Sequence, residues 1–88
     1  MSLRRFGVDI RLERLARRVV ERLRHYNRRG FSLNEALRKV PKELGTSIEW
    51  AYINGKLVVG QWYTMRILIS NPRLLPEMVK EGLAYLWR

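Results

Sequence analysis

Apolar residues in the first third of the chain recur at steps of three and four: Val8, Leu12, Leu15, Val19, Leu23 and Tyr26. At about 100° per residue this spacing gathers them on one face, so a helix is predicted over residues 8–29 with Gly30 as its stop. Ser32, followed three positions later by Glu35, reads as a capping box with Phe31 ahead of it. A second, shorter helix follows, with Leu33, Ala36, Leu37 and Val40 as its buried side. Pro41 lacks a backbone donor and is predicted to end or kink that helix near Val40, leaving residues 42–45 as a turn or one more helical turn.

From Thr46 the period shortens to two. Ile48, Trp50 and Tyr52 alternate with Glu49, Ala51 and Ile53, and Asn54-Gly55 comes next. That dipeptide suits a type I′ hairpin turn, in which both central residues need positive φ. A two-residue turn also fixes the register, with Tyr52 opposite Leu57 and Trp50 opposite Val59. Gly60-Gln61 predicts a bulge or a further turn, after which the β-prone residues 62–69 offer a third strand. Asn71-Pro72 closes this region. Pro76 and Glu77 suit the first turn of a last helix, lined by Leu75, Val79, Leu83 and Leu86 or Trp87, with Gly82 in its middle. The expected fold is a single small α+β domain over residues 1–88: two N-terminal helices, an antiparallel hairpin or meander of two or three strands, and a C-terminal helix. A chain of 88 residues buries only about 60–65% of its unfolded surface, so the core is thin.

Charge changes the picture most. Eighteen Lys and Arg against eight Asp and Glu give +10, and fourteen of the cations are Arg. A positive field of this size favours polyanions, and a guanidinium forks onto phosphate oxygens where an ammonium is a point charge. A thermophilic or Arg-rich host would raise the Arg count but would not account for the imbalance of sign. The excess is local: residues 1–30 hold ten cations and three acids, a net +7, against +3 for residues 31–88.

On the predicted first helix, Arg11, Arg14, Arg18, Arg22, His25 and Arg29 share one face without an acid among them. On the other polar side Asp9, Glu13, Arg17, Glu21, Arg24 and Arg28 alternate in sign. There Glu13 with Arg17 and Glu21 with Arg24 are spaced for ion pairs. The cationic ridge, with Arg4, Arg5 and Arg28 adjoining it, is the candidate phosphate-binding surface. Long Arg side chains also border apolar stripes without any ligand, their stems on the core edge and their heads in water. Trp50, Tyr52, Trp62 and Tyr63 form a second candidate footprint for unpaired bases, supported by Lys56, Arg66 and Arg73, although alternation splits these rings between faces.

Other classes find little support. Without cysteine there is no disulfide, thiolate zinc site or thiol nucleophile; His25 is the single His and Asp9 the single Asp; the six Gly are scattered. No catalytic residue, metal or cofactor is expected. No segment approaches the roughly 20 apolar residues of a membrane span and no secretory signal is evident, so a cytoplasmic protein without a membrane partner is expected. The sequence therefore predicts a non-enzymatic nucleic-acid-binding protein, RNA and DNA undistinguished, with an RNA-binding or ribonucleoprotein role slightly favoured.

Two alternatives stand beside it. One is an oligomerisation or scaffold subunit whose first helix meets an acidic protein or a second copy as a homodimer. The other rests on Leu44-Gly45-Thr46-Ser47-Ile48-Glu49-Trp50 with Gly55-Lys56-Leu57, which resembles the turn and recognition helix of small helix-turn-helix and excisionase-like winged-helix proteins. That resemblance implies a DNA-binding regulator with base contacts from Thr46, Ser47, Glu49 and Lys56, and a helix rather than a strand at residues 47–54. Pro41 stands where that motif carries a small residue.

Overall fold

In a computed structural model of the chain, which describes residues 10–87, the amphipathic pattern of the first third closes as a 19-residue helix, α1 (Ile10–Arg28). Arg4, Arg5 and the start of the predicted helix lie outside the described residues. Ala16, Val19, Val20, Leu23 and Tyr26 form its buried stripe. The helix α2 (Leu33–Leu44) begins with the capping box: the Ser32 hydroxyl accepts from the Glu35 N–H, and the Glu35 carboxylate accepts from the Ser32 N–H. Pro41 does not end α2. The helix continues one turn to Leu44, where the Gly45 and Thr46 N–H groups both donate to the Pro41 carbonyl.

The hairpin matches the expected register. Strands β1 (Ile48–Ile53) and β2 (Lys56–Gln61) pair antiparallel, with Tyr52 opposite Leu57 and Trp50 opposite Val59. Asn54 and Gly55 take φ of 53° and 77°, as a type I′ turn requires. The stretch that a helix-turn-helix would use for recognition is thus a strand. Gly60 makes neither bulge nor turn, since the ladder runs unbroken to the Ile48–Gln61 pair.

Two expectations at the C-terminal side are corrected. Residues 62–69 are not a strand but the body of helix α3 (Trp62–Ser70). Gln61, Thr64, Met65 and Leu68 are buried on one side while Trp62, Arg66 and Ile69 are exposed on the other, a helical spacing that outweighs the β propensity of the individual residues. A 3-10 turn (Pro72–Leu74) leads into α4 (Leu75–Lys80), so the last helix is present but short. Gly82, at φ 78°, ends it rather than sitting inside it: the Gly82 N–H donates to Val79 and the Leu83 N–H to Met78. Residues 84–86 then form the third strand, β3 (Ala84–Leu86), antiparallel to β2.

The sheet order β1-β2-β3 leaves β3 and β1 at its edges. On one face Ile53, Val58 and Ala84 pack with Met65 and Leu68 of α3, Leu75 and Met78 of α4, Leu83 and Ala16 of α1. On the other, Val59 packs with Val19, Leu23 and Tyr26 of α1 and Ala36 and Val40 of α2. A three-stranded sheet with an apolar cluster on each side fixes α1 firmly while leaving both of its polar flanks outward.

Candidate nucleic-acid interface

Helix α1 carries seven arginines against two glutamates along about 28 Å. Its apolar stripe is committed to both clusters, so the charged side chains emerge on two flanks, one beside α2 and the other beside β3 and α4. The ridge predicted from the sequence is the first flank, and the structure divides it. Arg11, Arg14 and Arg18 are exposed, and among the described residues no ion pair joins them to a carboxylate.

Further along, α2 supplies an acid that helical spacing did not reveal. The Arg22 Nε donates to Glu43 Oε1 at 3.0 Å, and the Tyr26 hydroxyl donates to Glu43 Oε2. The Arg22 guanidinium also lies over the Tyr26 ring, 5.3 Å from its centre. These contacts hold the Glu43 carboxyl below its ordinary range, the Tyr26 hydrogen bond contributing most and Arg22 next. The ridge is therefore not a uniform cationic face: Arg22 is partly neutralised, and the half-buried His25 ring stands edge-on to Tyr26 at 5.3 Å. Arg29 is exposed at the turn between α1 and α2.

The second flank keeps one of its two expected ion pairs, Glu13 with Arg17, and among the described residues lacks the other. Glu13 is buried, only 7% exposed, with Arg17 Nη2 at 3.8 Å. Glu21 and Arg24 make no such pair among the described residues. Arg24 instead lies over the Tyr85 ring of β3, 5.5 Å from its centre. With Asn27 and Arg28 it walls a cleft of about 840 Å³ whose other side is Val79, Tyr85 and Leu86. Asn27 Nδ2 donates to the Tyr85 hydroxyl at 2.7 Å and pins that ring against the end of α1. Arg24 was not among the candidates read from the sequence, because its spacing to Glu21 made it look compensated.

Of the remaining candidates, Lys56 is exposed on β2, its side of the sheet being the one opposite Trp50 and Tyr52. Arg66 is on α3 with its guanidinium 5.1 Å from the Trp62 ring centre, and both line a hollow of about 420 Å³ with Tyr63, Ile67 and Leu74. Trp62 and Tyr63 thus belong to a helix rather than to the sheet. Arg38, Lys39 and Lys42 on the outer side of α2, absent from the sequence-derived set, are exposed in a row beside Glu35.

The sheet face that packs on α1 and α2 carries further aromatic residues at its margin, where Tyr85 and Trp87 are half-buried against that cluster. Trp50 and Tyr52 project from the same side of β1 as Tyr85 and Trp87 do from β3 and the residue after it. The pairing aligns Trp50 with Val59 and Tyr85, and the Trp87 N–H donates to the Leu57 carbonyl to continue the row from Tyr52 through Leu57. Trp50 is 47% and Tyr52 72% exposed.

No family model, curated protein or solved structure matches the chain. Among the described residues no group of three His, Cys, Asp or Glu side chains is placed to hold a metal ion, and no helix is long and apolar enough to cross a membrane.

Proposed function

We propose that the protein binds nucleic acid through its phosphate backbone, using the exposed arginines of α1. The observation that carries this reading is the fate of the acids near that helix. Glu13 is buried and Glu43 is engaged by Arg22 and Tyr26, which leaves Glu21 as the one exposed acid of α1 among the described residues, against Arg11, Arg14, Arg18, Arg24, Arg28 and Arg29 at the surface. The helix is held by two apolar clusters, so the backbone positions from which its arginines project are fixed before binding. Each phosphate neutralised releases condensed counterions, which supplies affinity without reading sequence. The reaction class is binding alone; no catalytic group is proposed.

The test is a salt titration of the protein against duplex DNA and duplex RNA, beside the variant R11Q/R14Q/R18Q. Wild type is expected to bind with log K falling steeply against log salt, and the variant's slope to be shallower by about two to three. Equal slopes for the two proteins, or no binding at low salt, would refute the reading and turn attention to protein partners of α1.

A further inference from the structure

Resting on that reading, we infer that the ligand includes an unpaired stretch whose bases stack on Trp50 and Tyr52, the exposed rings at the margin of the sheet face that also carries the half-buried Tyr85 and Trp87, while Arg24 and Arg28 hold its phosphates. The rings come in two edge-to-face pairs: Trp50 with Tyr52, centres 6.2 Å apart at 87°, and Tyr85 with Trp87, centres 5.9 Å apart at 89°. In an edge-to-face pair the ring that presents its edge keeps both π faces clear of its neighbour.

Ring exposure decides between paired and unpaired nucleic acid. Trp50 and Tyr52 stand 47% and 72% exposed, open to a base that is free to leave its own stack. Bases held in a duplex stack on one another and do not reach such rings, whereas bases splayed from a single strand do. Charge points the same way. Tyr85 belongs both to this face and to the cleft walled by Arg24, Asn27 and Arg28, so the platform runs directly into two exposed guanidinium groups. Arg24 lies over the Tyr85 ring, so that ring serves to hold the guanidinium at the margin of the aromatic face, where a phosphate can reach it. An apolar protein partner would leave those two charges facing its surface, while a single strand brings an anion for each base it places.

The experiment measures a 12-nucleotide oligouridylate and a duplex of equal length against wild type, W50A/Y52A, W50F/Y52F, R24Q/R28Q and R11Q/R14Q/R18Q, with far-ultraviolet circular dichroism on each variant. Wild type is expected to show quenched tryptophan fluorescence with the oligouridylate. W50A/Y52A should lose at least tenfold in single-strand affinity while its duplex affinity and salt slope hold, and W50F/Y52F should recover much of the loss. R24Q/R28Q should flatten the single-strand salt slope by about 1.4. If W50A/Y52A binds the oligouridylate as tightly as wild type while R11Q/R14Q/R18Q weakens duplex binding, the stacking inference fails and the backbone reading stands. If no protein binds either nucleic acid, both fail together. If W50A/Y52A changes only the mass in solution, the face is a contact between copies of this chain and the inference is overturned.

Discussion

Changing Tyr26 to Phe isolates one hydrogen bond at the junction of α1 and α2. The ring is 9% exposed, packs edge-on to Phe31 at 5.1 Å and lies beneath Arg22, and phenylalanine keeps those contacts. What is lost is the hydroxyl's bond to Glu43. A hydrogen bond to a charged group is worth about 1.5–3 kcal/mol; the Glu43 side chain is 36% exposed, so water replaces part of it and about 1 kcal/mol remains. For 88 residues the unfolding entropy near the midpoint is about 0.18 kcal/mol/K, which makes that loss a fall in Tm of about 5 °C. The pH dependence follows from the direction of the Glu43 shift. Its carboxyl titrates lower in the folded chain than the ordinary value of 4.5, so the stabilisation is complete above that value and disappears as pH falls through the lowered one. Thermal melts of both proteins from pH 7 to pH 2.5 are expected to show the 5 °C gap at neutral pH closing in acid. A gap that stays constant or widens in acid would mean that the hydroxyl acts on something other than the Glu43 carboxylate.

Further expectations follow from the same geometry. E43Q frees Arg22 from its carboxylate, so the salt slope for duplex binding should steepen by about 0.9, the value for one added phosphate contact. G60A places a methyl group 3.2 Å from the Leu83 carbonyl and 3.3 Å from Met65 Sδ, and chemical denaturation should show a loss of about 1–3 kcal/mol. L23A empties a fully buried site between α1 and α2 and should cost about 2–5 kcal/mol in the same assay. S32A removes the helix cap of α2 at a cost of about 1 kcal/mol, read from the denaturation midpoint.

What was legible in the chain was whatever local chemistry decides. The 3.6-residue stripe of α1, the Ser32–Glu35 box and the Asn54-Gly55 turn each carry their own geometry, and the hairpin register followed from the turn alone. Residues 62–69 misled because tryptophan, tyrosine, threonine and isoleucine favour strands individually, while their burial needs α3 packed on the sheet. The buried set Thr64, Met65 and Leu68 was the available helical signal. At the C-terminal side, Leu83, Leu86 and Trp87 fit a helical period as well as a strand, and only the positive φ of Gly82 separates the two outcomes. The candidate site was half legible. Arg11, Arg14 and Arg18 could be grouped from spacing, whereas the pairing of Arg22 with Glu43, the withdrawal of Glu13 and the meeting of Arg24 with Tyr85 join residues far apart in sequence or depend on depth in the core.

Seven arginines on one rigid helix also bear on how the free protein responds to its medium. Like charges held at fixed spacing oppose the compact state, and dissolved salt screens them, so the unliganded chain should gain thermal stability as ionic strength rises. The complex proposed above responds in the opposite sense, because the same ions compete for the phosphates. Polyanion and salt are thus alternative ways of quieting one helix, and the protein is under greatest self-repulsion in dilute buffer without a ligand. Binding under those conditions should raise the melting temperature through mass action and through relief of that repulsion together.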